Sequence, residues 1–142
     1  MNEPILGKRE PTNRDYRPIT WDAFLALRSW AKDVAAKYGA QVYLVGSALD
    51  KTEPRDIDLA IVLPLAEFET RYGPIPPTLE YDAEGVPFTS PERIAYIDRL
   101  YGRVMNDRQS AHAVTGGRYT IDVKLCPDSW WPEKDRLLLA AA

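Results

Sequence analysis

Polar and apolar positions alternate most sharply over residues 55–63, Arg-Asp-Ile-Asp-Leu-Ala-Ile-Val-Leu. A strand there puts Asp56, Asp58 and Ala60 on one face and Ile57, Leu59, Ile61 and Leu63 on the other. The apolar face specifies the register, because a slip of one residue would bury the carboxylates. Upstream, Gln41-Val-Tyr-Leu-Val45 is a second run of strand formers, ending at Gly46-Ser47. Between Trp21 and about Tyr38 the spacing changes to that of a helix, with Phe24, Leu27, Ala31 and Val34 on one stripe and Trp30 beside it. Thr20 is placed to cap this helix and Gly39 to end it.

Beyond Pro64 the pattern predicts a short helix over Leu65 to Tyr72, stopped by Gly73-Pro74, and an irregular proline-rich stretch over 73–90. Thr89 or Ser90 caps a further helix that runs to about Met105, with Ile94, Ile97, Leu100, Tyr101 and Val104 on its apolar side. Two strand-like runs, 109–115 and 118–126, are then joined by Gly116-Gly117, which reads as a hairpin. In the second run Tyr119, Ile121, Val123 and Leu125 alternate with Thr120, Asp122, Lys124 and Cys126. Asp122 thus lies on the polar face of a strand, where an acid is disfavoured by propensity and calls for an explanation. A last short helix is expected over Glu133 to Ala140. The organisation read from this is an extended arm over 1–19, a main domain over 20–126 and a tail over 127–142.

Composition changes the picture mainly by exclusion. At 142 residues, 45% of them hydrophobic, the chain is long enough for one ordinary core. A net charge of −3 with no basic run disfavours a nucleic-acid grip by this domain alone. The single cysteine, Cys126, forbids an internal disulfide and gives no zinc framework; at the end of an apolar strand it reads as structural. No stretch has the ~18 apolar residues of a membrane span, and residues 1–15 lack the apolar core of a signal peptide, so the expected compartment is the cytoplasm.

The chemistry lies in three carboxylates on two apolar-backed strands, with a Gly-Ser turn after a third strand. Asp56 and Asp58 stand roughly 7 Å apart at Cα, close enough to converge on a hard cation. A glycine at a strand end lets backbone N–H groups approach a phosphate, and Ser47 adds a hydroxyl. Carboxylates with paired metal ions and a phosphate grip are the equipment of phosphoryl or nucleotidyl transfer.

The order Val45-Gly46-Ser47, a connector of eight residues, Asp56-Ile57-Asp58-Leu59 and then Asp122 within Tyr119-Thr-Ile-Asp-Val123 resembles the nucleotidyltransferase superfamily of DNA polymerase beta, in its minimal, stand-alone form. The resemblance covers roughly residues 20–126. It implies an α+β fold, a small mixed or antiparallel sheet with helices mainly on one face. It also implies two Mg²⁺ ions held by Asp56, Asp58 and Asp122, with Asp122 helping to deprotonate the attacking hydroxyl. Gly46 and Ser47 would hold the triphosphate of an NTP, and Lys124, on the same face as Asp122, is the better-placed cation. The surroundings of the turn depart from many small members: Asp50 stands where they carry a glycine, and Arg55 where they carry Ser or Thr.

The activity implied is transfer of an NMP group from an NTP to an acceptor hydroxyl with release of pyrophosphate. The acceptor, whether small molecule, protein side chain or RNA end, is left open. The alternatives are an antitoxin or interaction module paired with a HEPN-type toxin, and a degenerate domain that keeps the fold without the chemistry. Lys51 and Arg55 are each as well explained as solvated surface charges as by contact with phosphate. His112, placed on the strand opposite Asp122, reads as structural or solvated. The helical C-terminal domain that larger relatives use to bind the acceptor has no counterpart in residues 127–142, so the wall of an acceptor site is expected from a second copy or a partner, docked with help from that segment.

Overall fold

The computed structural model describes residues 4–6, 19–46 and 56–142. Ser47, Lys51 and Arg55, and the arm between residues 6 and 19, lie outside the described residues. The chain runs β1 (Pro4–Leu6), β2 (Ile19–Thr20), α1 (Trp21–Tyr38), β3 (Gln41–Val45), β4 (Asp56–Leu63), α2 (Leu65–Tyr72), β5 (Glu80–Tyr81), β6 (Pro87–Phe88), α3 (Pro91–Arg103), α4 (Met105–Val114), β7 (Thr120–Pro127) and β8 (Arg136–Ala141). Short 3₁₀ turns at Asp128–Trp130 and Glu133–Asp135 lead from β7 into β8. The fold is α+β: one four-stranded mixed sheet with helices packed against it.

The sheet order is β7-β4-β3-β8. β4 runs parallel to β7, and β3 is antiparallel to both β4 and β8. α1 forms where the stripe requires: Thr20 Oγ1 accepts from Ala23 N–H at 3.2 Å, and Gly39 closes the helix in the left-handed region. Ala23, Leu27, Trp30, Ala31, Val34 and Ala35 are buried against Val42, Leu44, Ile57, Leu59, Ile61, Leu63, Ile121, Val123 and Leu125. These strand residues are the alternating apolar set, so the helices cover one face of the sheet and the acids belong to the other. No helix among the described residues is long and apolar enough to cross a membrane.

Three expectations are corrected. The run 109–115 is not a strand paired with 118–126 but part of α4, so His112 sits in the helical layer, exposed, with the carboxylates facing the other side of the sheet. The buried positions Val104, Asp107, Ala111 and Thr115 recur at helical spacing, but a buried acid breaks the apolar pattern. Asp107 is 5% exposed because α1 pairs with it: Lys37 Nζ donates to its Oδ1 at 3.0 Å and the Tyr38 hydroxyl to its Oδ2 at 2.5 Å. Gly116 and Gly117 take positive φ to end this helix, with Gly117 N–H donating to the His112 carbonyl, rather than to turn a hairpin.

Secondly, residues 136–141 form an edge strand where a helix over 133–140 was expected. A short apolar run carries no decisive period, and pairing with β3 outweighs the helix propensity of Leu and Ala. A register shift opposite Val42 and Tyr43 lets both Leu139 and Ala140 reach the helix-side core. The C-terminal segment is thus part of the chain's own sheet. Thirdly, within the expected N-terminal arm, residues 4–6 pair antiparallel with Ile19–Thr20. On α3, Ile94 is 52% exposed, off the buried stripe of Tyr96 and Leu100.

Candidate active site on the open face of the sheet

Strand register brings the sequence-distant acids together. In the parallel pair β4/β7, Asp58 lies opposite Asp122 and Asp56 opposite Thr120. Paired residues of adjacent strands project to the same side, about 4.8 Å apart at Cα, so all three acids share the open face. Among the described residues no three His, Cys, Asp or Glu side chains are gathered closely enough to form a ready ion cage.

The same row continues across the sheet. Val45 on β3 lies opposite Asp58, and Arg136 on β8 lies opposite Val45. Arg136 therefore stands two strands from Asp58, about 10 Å at Cα, with its guanidinium 4.6 Å from the centre of the Tyr43 ring. On the other flank Lys124 Nζ lies 3.8 Å from Asp122 Oδ2 and 5.5 Å from the centre of the Trp131 ring. A cation on each side thus frames the acids. Arg136 escaped the sequence reading because an expected helix over 133–140 removed it from the sheet; the β-register is what brings it to this face.

Gly46 follows β3 at the acidic end of the sheet. Its φ of +76° is costly for any residue with a side chain, and a Cβ there would lie 2.5 Å from Asp58 Oδ2. The glycine lets the turn pass directly over the carboxylate. Gly46→Ala is therefore expected to cost about 1–2 kcal/mol in backbone strain and to push Asp58 aside. Denaturant unfolding of the variant beside the wild type reads the strain.

Burial holds the Asp58 carboxyl above the ordinary aspartate value; Lys124 opposes this, and the like charges of Asp122 and Asp56 add to it. The cluster carries more negative charge than Lys124 balances, and its donors are all carboxylate oxygens. Both properties suit a hard divalent cation such as Mg²⁺.

Further along the same face the surface turns apolar. Tyr43, Val45, Ala60, Val62 and Cys126 form a second buried cluster, with Trp130 and Trp131 packed on it. Burial pushes the Cys126 thiol up to about 12, against weaker opposing effects of the Trp131 indole and Lys124. It is a packed, unreactive thiol. The Trp131 N–H points into this cluster with no hydrogen bond of ordinary geometry. Comparison with known proteins leaves this geometry to stand alone: no family model, curated protein or solved structure matches the chain.

Proposed function

We propose that the open face is the catalytic surface of a nucleotidyltransferase that moves an NMP group from an NTP to an acceptor hydroxyl, releasing pyrophosphate. The observation that carries the reading is the row Asp122, Asp58, Val45, Arg136, with Gly46 arching over Asp58. Asp56, Asp58 and Asp122 would hold Mg²⁺, which supplies charge neutralisation at the phosphates and orients the reacting oxygens. Gly46 offers backbone approach beside Asp58, and Arg136 a forked donor set suited to phosphate oxygens. Asp122, beside Lys124 on the edge strand, would take the proton of an acceptor arriving from outside the sheet. The apolar face beneath the acids keeps the row rigid, which favours catalysis by positioning.

Arg136 is the part of this reading that only the β-register suggests. Arg136→Leu keeps an apolar stem against Tyr43 and removes the charge. It should weaken NTP binding by about 1.5–3 kcal/mol, roughly ten- to hundredfold, with little loss of fold stability. Calorimetric titration of NTP with Mg²⁺ reads the affinity, and an unchanged value would remove Arg136 from the site. The function itself is tested by pyrophosphate release from the four NTPs with Mg²⁺ over a panel of hydroxyl acceptors. Release that needs both metal and acceptor supports it; none across the panel, with NTP bound elsewhere on the molecule, contradicts it.

A further inference from the structure

Beside Lys124 the outer edge of β7 opens into a cleft of about 260 Å³ between α3 and the turn after β7. Ile97, Leu100 and Tyr101 line it from α3, Leu125 from β7, and Trp130 and Trp131 from the turn. Its size falls just below the ~300–1,000 Å³ usual for ligand pockets, and its apolar and aromatic lining is typical of them. Lys124 is the one charged lining residue, and it links the cleft to the acidic row through Asp122. The guanidinium of Arg93, outside this lining, lies 5.4 Å from the centre of the Trp130 ring and donates to the Pro76 carbonyl, which holds that wall in place.

We propose that this cleft is the acceptor subsite, and that the acceptor is a small planar aromatic molecule bearing a hydroxyl group; the acceptor role rests on the transferase reading above. Flat rings match the Trp130, Trp131 and Tyr101 surfaces, since aromatic pairs gain about 0.5–1.5 kcal/mol beyond area burial. Room for one or two rings excludes an oligosaccharide or a polypeptide chain from the cleft itself. Lys124, the one charged residue of the lining, offers a hydrogen-bond donor to a ring hydroxyl beside Asp122. The cleft also supplies from within this chain the acceptor wall that the sequence alone assigned to a second molecule. In the reaction the acceptor oxygen bonds to the α-phosphorus of the NTP and the bond from that phosphorus to the β-bridging oxygen breaks. Pyrophosphate leaves with the electron pair, and the hydroxyl proton passes to the Asp122 carboxylate and then to water.

The test separates binding from turnover. Tryptophan fluorescence titrations with 2-naphthol and 4-hydroxybenzoate, without nucleotide or metal, should show saturable binding to the full chain, whereas kanamycin and inositol should not bind. Ile97→Trp fills the cleft from α3, and Trp131→Ala removes its wall. Each should weaken aromatic binding about tenfold, the equivalent of ~1.4 kcal/mol. Thermal unfolding of Ile97→Trp checks that the fold persists where Trp131→Ala loses it. With ATP and Mg²⁺, pyrophosphate should appear with the aromatic hydroxyls and not with kanamycin or inositol. Aromatic binding unchanged in a folded Ile97→Trp variant, or no aromatic binding at all, overturns the cleft as the site. Transfer to kanamycin or inositol but not to aromatic hydroxyls overturns the acceptor class while leaving the transferase reading intact. Aromatic binding lost in Ile97→Trp, with no pyrophosphate from any NTP, overturns the acceptor role and the transferase reading together but leaves a ligand site. Quenching of the tryptophans by ATP alone, abolished by Ile97→Trp, assigns the cleft to the nucleobase and overturns the proposal.

Discussion

Asp58→Asn is expected to abolish transfer while leaving the protein folded and slightly more stable. Asp58 is the central acid of the row, flanked by Asp122 across the strand pair and overlain by Gly46. On the proposed mechanism, removing its charge would take a ligand from the Mg²⁺ site and several kcal/mol of stabilisation from charge developing at the phosphates, hence at least about a thousandfold in rate. The stabilisation of the fold has a definite pH signature. The folded state holds the Asp58 proton more tightly than the unfolded chain, so this group favours folding below the ordinary aspartate value and loses that contribution as pH rises through its folded value. The Asn variant should therefore match the wild type at pH below ~4 and exceed it at neutral pH, by a margin that solvent screening of a half-exposed group keeps small. Denaturant midpoints across pH, with and without Mg²⁺, read this. Wild-type turnover by the variant would place the chemistry elsewhere.

Truncation before Asp128 should unfold the domain. The removed segment contains β8, whose Leu139 and Ala140 are buried in the main core, and Trp130 and Trp131, which cover the apolar half of the open face. Burying one Leu contributes roughly 1.5–3 kcal/mol. The lost strand pairing and Trp cover add to this, against a total stability of about 5–15 kcal/mol for such a domain. The cut also bares the edge of β3, a template for aggregation. Circular dichroism and light scattering on the truncated chain should show lost cooperative unfolding and self-association. A folded, monomeric truncation with near wild-type melting would show that the C-terminal segment is an appendage after all.

What was legible in the sequence followed from local chemistry that agreed with the global fold. Thr20 and Gly39 bracket α1 as caps, Pro64 ends β4, and the strict alternation of Asp56 to Leu63 assigns the acids to one face. The alternation of Tyr119 to Leu125 likewise puts Asp122 on a polar face, and the parallel register sets it opposite Asp58. Where local and long-range signals parted, the reading failed. Asp107 occupies a buried helical position because Lys37 and Tyr38, some seventy residues away, satisfy it. Leu137 to Leu139 carry no period, and only the free edge of β3 makes them a strand. Arg136 reaches the open face only because the chain returns to pair with β3.

A crystal structure of the full chain with Mg²⁺ and a non-hydrolysable NTP analogue tests the central claim most directly. Metal density contacting Asp58 and Asp122, with the triphosphate running between Gly46 and Arg136, is the expected result. A nucleotide bound away from this row, or no metal at Asp58 and Asp122 in crystals saturated with both ligands, would contradict it.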